Sequence, residues 1–165
     1  MARVMILMGS VSDWELMQET ARTLARLQVP WEAHVASAHR TPDRVRRLVA
    51  EGEAAGVQVF VAAAGMAAHL AGFVSAHTVK PVIGVPLPGG ISDGLDALLS
   101  TVQMPGGIPV ATVAVGKAGA RNAAYLAAQI LALADPELAE RLSREREGFA
   151  EAVAAADAEL HLGTA

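Results

Sequence analysis

"VMILMGSVSDWE", residues 4–15, decides the fold. Val4–Met8 is apolar at every position, as in a strand covered on both faces and unlike the alternation of a half-exposed one. A Gly9-Ser10 break follows. Ser12-Asp13-Trp14-Glu15 then has the S-x-x-E spacing of a capping box, and the residues from Trp14 to Gln28 carry a helical pattern. The stretch is therefore one strand-to-helix unit, and the same unit recurs outward from it. Trp31–Ala36 leads to a helix over Pro42–Gly56, Val57–Ala62 to Ala67–Thr78, Val82–Val85 to Ser92–Val102, and Ile108–Val115 to a long helix from Ala118 to Ala134. This alternation predicts a five-stranded parallel sheet with helices on both faces, a doubly wound α/β domain of three layers.

A further helix, over Pro136–Ala158, lies outside the alternation. Asp135-Pro136 supplies its cap and first position, and Leu138, Leu142, Phe149 and Val153 fall on one stripe. No repeat, low-complexity tract or linker divides the chain, so residues 1–165 read as one domain with a core over 1–134 and a C-terminal helix over 135–158. The Ala-rich segment "AGARNAAYLAAQILALA", residues 118–134, is apolar on nearly every side. It is expected to be buried all round against a second copy of the chain, with packing under the last helix as the alternative.

Composition narrows the function. The chain has 165 residues, of which 53% are hydrophobic, but its apolar runs are short. None approaches the roughly 20 residues of a membrane span. "MARVMILMGS" runs into a patterned helix with no small-residue cleavage site, so no export signal is expected and the cytoplasm is the expected compartment. Absence of cysteine excludes disulfides, thiolate chemistry and zinc–thiolate sites. A net charge of −4 with dispersed basic residues disfavours nucleic acid and anionic membrane as partners. A small molecule remains.

In an open α/β sheet, ligands collect beyond the carboxyl ends of the strands. After strand one, Gly9 leaves the backbone open, and Ser10 and Ser12 with the free N–H groups of a helix start suit an anion; a cap without a ligand is the plainer alternative. Asp13 suits the hydroxyls of a ribose more than a phosphate, so a ribose phosphate is the working expectation. After strand two, Thr41 and Pro42 are read as cap and first residue of the next helix. They leave His39 and Arg40 unexplained. Arg40 is a bidentate donor for phosphate. His39 is a candidate because an unperturbed histidine titrates near 6.5, which suits a group that accepts and returns a proton, although a loop histidine is often only structural or solvated. After strand three, Gly65, Ala67 and Ala68 allow close approach of a flat ligand, with His69 beside them. The loops "PLPGGISDG" and "VQMPGGIPV" could fold over a bound ring. His34, His77 and His161 are read as non-catalytic, and no histidine pair has a metal-ligand spacing with a carboxylate, so no metal is expected. Neither a Walker loop nor a G-x-G-x-x-G fingerprint is present.

The ordered set "MGSVSDW", "SAHRTPD", "AGMAAHLAG", "VQMPGGIPVATVAVGKAGARNAA" and "AAQILA", spanning Arg3 to Leu133, resembles the N5-carboxyaminoimidazole ribonucleotide mutases, also called phosphoribosylaminoimidazole carboxylase catalytic subunits or the PurE family. The resemblance implies a flavodoxin-like αβα sandwich, a cofactor-free enzyme of purine biosynthesis, and a homo-octamer with sites built from neighbouring chains. It implies transfer of a carboxylate from N5 to ring carbon C4 of the imidazole ribonucleotide through trapped carbon dioxide, with His39 as general acid and base. Ser10, Ser12, Asp13 and Arg40 match positions that bind ribose phosphate, and Ser37 is expected to bind substrate beside them. Gly65, Met66, Ala67, Ala68, His69 and Leu70 match the loop covering the base and carboxylate. Two residues depart: the family usually has glycine where this chain has Met66 and proline where it has Ala71.

Two alternatives stand beside this reading. One is direct carboxylation of the aminoimidazole ribonucleotide by carbon dioxide. The other is a flavodoxin-like ligand-binding or signalling module, since fold does not fix function. Lys117 could serve as the lysine of a receiver domain, but strand one lacks the acidic cluster such a domain needs.

Overall fold

The computed structural model describes residues 1–162, with side chains described through Leu160; the reading of His161 as non-catalytic lies outside the described side chains. Five strands, β1 Val4–Met8, β2 Trp31–Val35, β3 Val59–Ala64, β4 Val82–Pro86 and β5 Ala111–Thr112, form one parallel sheet in the order β2-β1-β3-β4-β5. The helices are α1 Trp14–Arg26, α2 Pro42–Ala54, α3 Leu70–Ser75, α4 Leu95–Val102, α5 Gly116–Ala132 and α6 Pro136–Leu162. This is the flavodoxin-like arrangement.

Alternate residues of the central strands feed opposite faces. Val4, Ile6, Met8, Val59, Val61, Ile83 and Val85 pack with Met17 and Leu24 of α1, the alanines of α5, and Leu138 of α6. Met5, Leu7, Phe60, Ala62 and Val82 pack with Val45 and Val49 of α2 and with Leu70 and Val74 of α3. β1 is buried over its whole length, which is what its unbroken apolar run requires.

Several boundaries differ from the sequence reading. β3 begins at Val59 and continues through Ala63 and Ala64. Alanine has little intrinsic preference for strands, and burial between two helical layers overrides that preference here. β5 shrinks from the eight residues of Ile108–Val115 to Ala111–Thr112. Pro109 has no N–H for a ladder, which accounts for the loss at the start of the expected strand. α3 starts three residues late, at Leu70, because residues 66–69 form a separate turn.

The long α5 is not buried all round within one chain. Ala120, Ala123, Ala124, Ala127 and Ala128 are fully covered, whereas Lys117, Ala118, Arg121, Asn122 and Gln129 are exposed. Its inner face packs on α1 and β4, and α6 covers part of the remainder. Along α6, Leu138 is buried within the chain, whereas Phe149 is 52% exposed and Val153 71%.

Candidate active site

The strand order reverses between β1 and β3, and the loops leaving these strands diverge there. A cavity of about 550 Å³ opens at that point. Of the site residues named from the sequence, Ser10, Ser12, Asp13, Ser37, His39, Arg40, Gly65, Met66, Ala67, His69 and Leu70 line it, whereas Ala68 is buried behind the loop and does not. Leu87, Pro88, Gly89 and Gly90 complete the wall. Their loop was legible as a Gly/Pro stretch, but nothing in the sequence fixed which of its residues faces the ligand.

One side of the cavity is held by short-range hydrogen bonds. A capping box is present, but two residues earlier than the S-x-x-E spacing suggests. Ser10 Oγ accepts the Ser12 N–H at 3.3 Å, and Asp13 Oδ2 accepts the Ser10 N–H at 2.9 Å, closing a short 3-10 turn over Val11–Asp13. Inserting that turn before α1 takes Ser12 out of the capping position and lets its hydroxyl donate to Ser10 Oγ at 2.8 Å. Burial pushes the Asp13 carboxyl above its ordinary pKa, while the N–H groups of Ser10 and Gly9 and the charge of Arg40 pull it back.

The turn after β2 is equally local. Thr41 occupies the capping position of α2 with Pro42 at its start, yet its hydroxyl makes no cap bond. Thr41 Oγ1 instead accepts the Ser37 N–H at 2.9 Å and donates to the Ser37 carbonyl at 3.2 Å. Ser37 Oγ in turn accepts the Arg40 N–H at 3.2 Å. The Arg40 guanidinium reaches across to the first loop and donates to the Gly9 carbonyl at 2.9 Å. A guanidinium has five N–H donors, so this anchorage leaves capacity for a phosphate.

The two loops on the other side meet the first at a histidine pair. His39 Nε2 and His69 Nδ1 lie 2.8 Å apart with the rings nearly perpendicular, at 83°. Two ring nitrogens at that distance hold one hydrogen between them, one nitrogen donating and the other accepting. Among the described residues no cluster of three or more histidines and carboxylates is placed to hold a metal ion. His34 and His77 lie elsewhere: His34 stands 3.8 Å from Glu32, and the His77 ring meets the Phe73 carbonyl. Lys117 pairs with Glu19 at 3.4 Å, outside the cavity.

Residues 3–152 match the family model described as AIR carboxylase. The chain belongs to the AIR carboxylase family. The N5-carboxyaminoimidazole ribonucleotide mutase of Bacillus subtilis (strain 168) is 51% identical over 148 residues, covering 90% of this chain and 91% of that protein. The mutase of Escherichia coli (strain K12) is 54% identical over 142 residues, covering 86% and 84% respectively. A crystal structure of Treponema denticola PurE superposes with a TM-score of 0.87 at 32% identity, over 95% of this chain and 97% of that one.

Both departures from the AIR carboxylase pattern have a structural reading. Met66 has φ of 54°, the left-handed conformation that glycine adopts freely and other residues adopt at a cost of about 1–2 kcal/mol. The backbone shape of a glycine is thus kept without the glycine. Ala71 is the second residue of α3 and is buried; a proline is tolerated in the first turn of a helix, so alanine fits the same backbone.

Proposed function

We propose that this chain is an N5-carboxyaminoimidazole ribonucleotide mutase of purine biosynthesis, acting on its ribonucleotide without a cofactor. The observation that carries the reading is the 2.8 Å His39–His69 pair, set in one cavity with the Ser10–Asp13 turn and Arg40. Relatives at about half identity that bear the mutase name support it.

In this reading Arg40, Ser10, Ser12 and Ser37 bind the phosphate, and Asp13 accepts hydrogen bonds from ribose hydroxyls. The base lies under Gly65, Ala67 and Leu70. As the bond from N5 to the carboxylate breaks, His39 gives its proton to N5 and carbon dioxide is released in the cavity. C4 attacks that carbon dioxide, and His39 takes the proton C4 loses. The proton count closes, as an isomerisation demands. His69 shares the hydrogen on His39 and orients its ring. Carbon dioxide would escape to water from an open site, so solvent exclusion is essential. Neighbouring copies supply that exclusion in a homo-octamer, a reading supported by apolar side chains left uncovered in one chain, Leu95, Leu99, Phe149 and Val153. The chain works in the cytoplasm; it has no cysteine, and among the described residues no helix is long and apolar enough to cross a membrane.

The test is to incubate the purified chain with the N5-carboxylated ribonucleotide, without ATP, and follow the C4-carboxylated product. Formation of that product only from the uncarboxylated ribonucleotide and carbon dioxide would assign the direct carboxylase instead.

A further inference from the structure

We propose that α4, which contributes no residue to the cavity wall, is the positioning element of both covering loops, with Ser100 holding the turn that presents His69 to His39. This inference rests on the function proposed above and assigns that reaction a residue beyond those in contact with substrate.

Ser100 Oγ accepts the Ala68 N–H at 3.0 Å, across 32 residues of sequence. Its hydroxyl donates most closely to the Asp96 carbonyl one helical turn back, at 2.7 Å, which leaves a lone pair free for Ala68. Ala68 is buried, with 1% of its surface exposed, so its N–H needs a partner. The same N–H also reaches the Met66 carbonyl, 2.9 Å from the nitrogen, within a tight three-residue turn. Ser100 supplies the acceptor that comes from outside that turn.

The turn needs such a hold because local sequence does not specify it. Met66 is left-handed at φ 54°, and "GMAAH" contains no side chain that favours this conformation from within. Released from Ser100, Met66 relaxes toward negative φ, and His69, three residues on, swings away from His39. One turn earlier on the same face of α4, Asp96 Oδ2 accepts the Ile91 N–H at 3.0 Å. Gly90 sits so close above it that a Cβ there would lie 2.3 Å from Asp96 Oδ2. Two residues spaced i, i+4 thus hold, from behind, the loop after β3 and the loop after β4.

The experiment compares the full chain with Ser100→Ala and Ser100→Thr. Ser100→Ala should fold with a thermal midpoint close to wild type, and amide hydrogen exchange over residues 65–70 in the ligand-free protein should accelerate by about 5-fold or more while α1 and α2 stay unchanged. Its kcat should fall by roughly 10- to 100-fold, because misplacement by about 1 Å is that costly, with KM within about 3-fold since the phosphate anchors are untouched. Ser100→Thr, which keeps the hydroxyl, should restore both readouts. Unchanged exchange over 65–70, unchanged kcat in Ser100→Ala, or no recovery in Ser100→Thr overturns the proposal; so does an activity loss that merely tracks the folded fraction. If the wild-type chain itself makes no C4-carboxylated product, the proposed function fails, while the exchange comparison still decides whether Ser100 holds the turn.

Discussion

The two sides of the cavity are built by opposite means. The Ser10–Asp13 and Ser37–Thr41 turns are each shaped mainly by hydrogen bonds between residues no more than four apart, and the Arg40 guanidinium ties the two together at the Gly9 carbonyl. The covering side has a left-handed Met66, left-handed Ser92 and Asp93 in the next loop, and anchors that come from α4, up to 32 residues away. A substrate's charged end needs a fixed site, which short-range bonds supply. Its reacting end must be enclosed and then released, and a turn held from outside can be tuned without rebuilding the anchor. Variants on the two sides should therefore fail differently: KM on the anchoring side, kcat on the covering side.

The largest effect is expected where the two sides meet. His39→Asn keeps a polar side chain of similar reach but cannot cycle a proton, so kcat should fall by about 10²–10⁴-fold with ribonucleotide binding retained. Isothermal titration with the product beside steady-state turnover separates the two. Near-normal turnover would remove His39 from the mechanism.

Arg40→Ala sharpens the contrast from the anchoring side. A charge-assisted hydrogen bond contributes about 1.5–3 kcal/mol, so KM should rise by roughly 10- to 100-fold while kcat changes little. The bond from the guanidinium to the Gly9 carbonyl is also lost, but the Ser10–Asp13 turn keeps its own bonds. An unchanged KM would contradict a phosphate role.

The same division explains how much of the molecule is legible in its sequence. β1, β3 and β4 announce themselves as apolar runs between turn residues, whereas the edge strand β2 carries Glu32 and His34. The anchor residues stand in short motifs such as "SAHRTPD" whose spacing carries their chemistry. Even there, the capping register is ambiguous: a 3-10 turn moves the box from Ser12 to Ser10, and both serines precede an acidic residue three places on. β5 starts later than its apolar run because hydrophobicity signals burial, whereas pairing needs an N–H that Pro109 lacks. The conformation of Met66 and the role of Ser100 leave no local trace. A serine within a helix reads as neutral until the turn it holds is brought beside it.

Asp13 offers a pH test of the anchor. Because burial raises its folded-state pKa above the ordinary 3.8, the ionised carboxylate is disfavoured by folding. That cost is fully present above the raised folded-state pKa and disappears as pH falls below 3.8. Asp13→Asn retains an oxygen for the Ser10 N–H and should melt higher than wild type at pH 7, with the gap narrowing toward acid, while binding the ribonucleotide more weakly. A gap that stays constant with pH would mean that burial of the charge is not its source.

The smallest effect is expected at Met66, where two terms oppose one another. Glycine relieves about 1 kcal/mol of left-handed strain in the folded chain but adds about 0.5–1 kcal/mol of conformational freedom to the unfolded one, so Met66→Gly should leave the thermal midpoint within about 3 °C of wild type. Met66→Val tests the same backbone from the other direction, since a β-branched residue is far less compatible with positive φ and no gain in the unfolded state offsets it. That variant should lose more than about 1 kcal/mol, or about 3 °C, in a melt followed by circular dichroism. If valine were tolerated as well as glycine, the turn would be free to leave the left-handed region without cost to the fold, and α4 would not be what shapes the covering side.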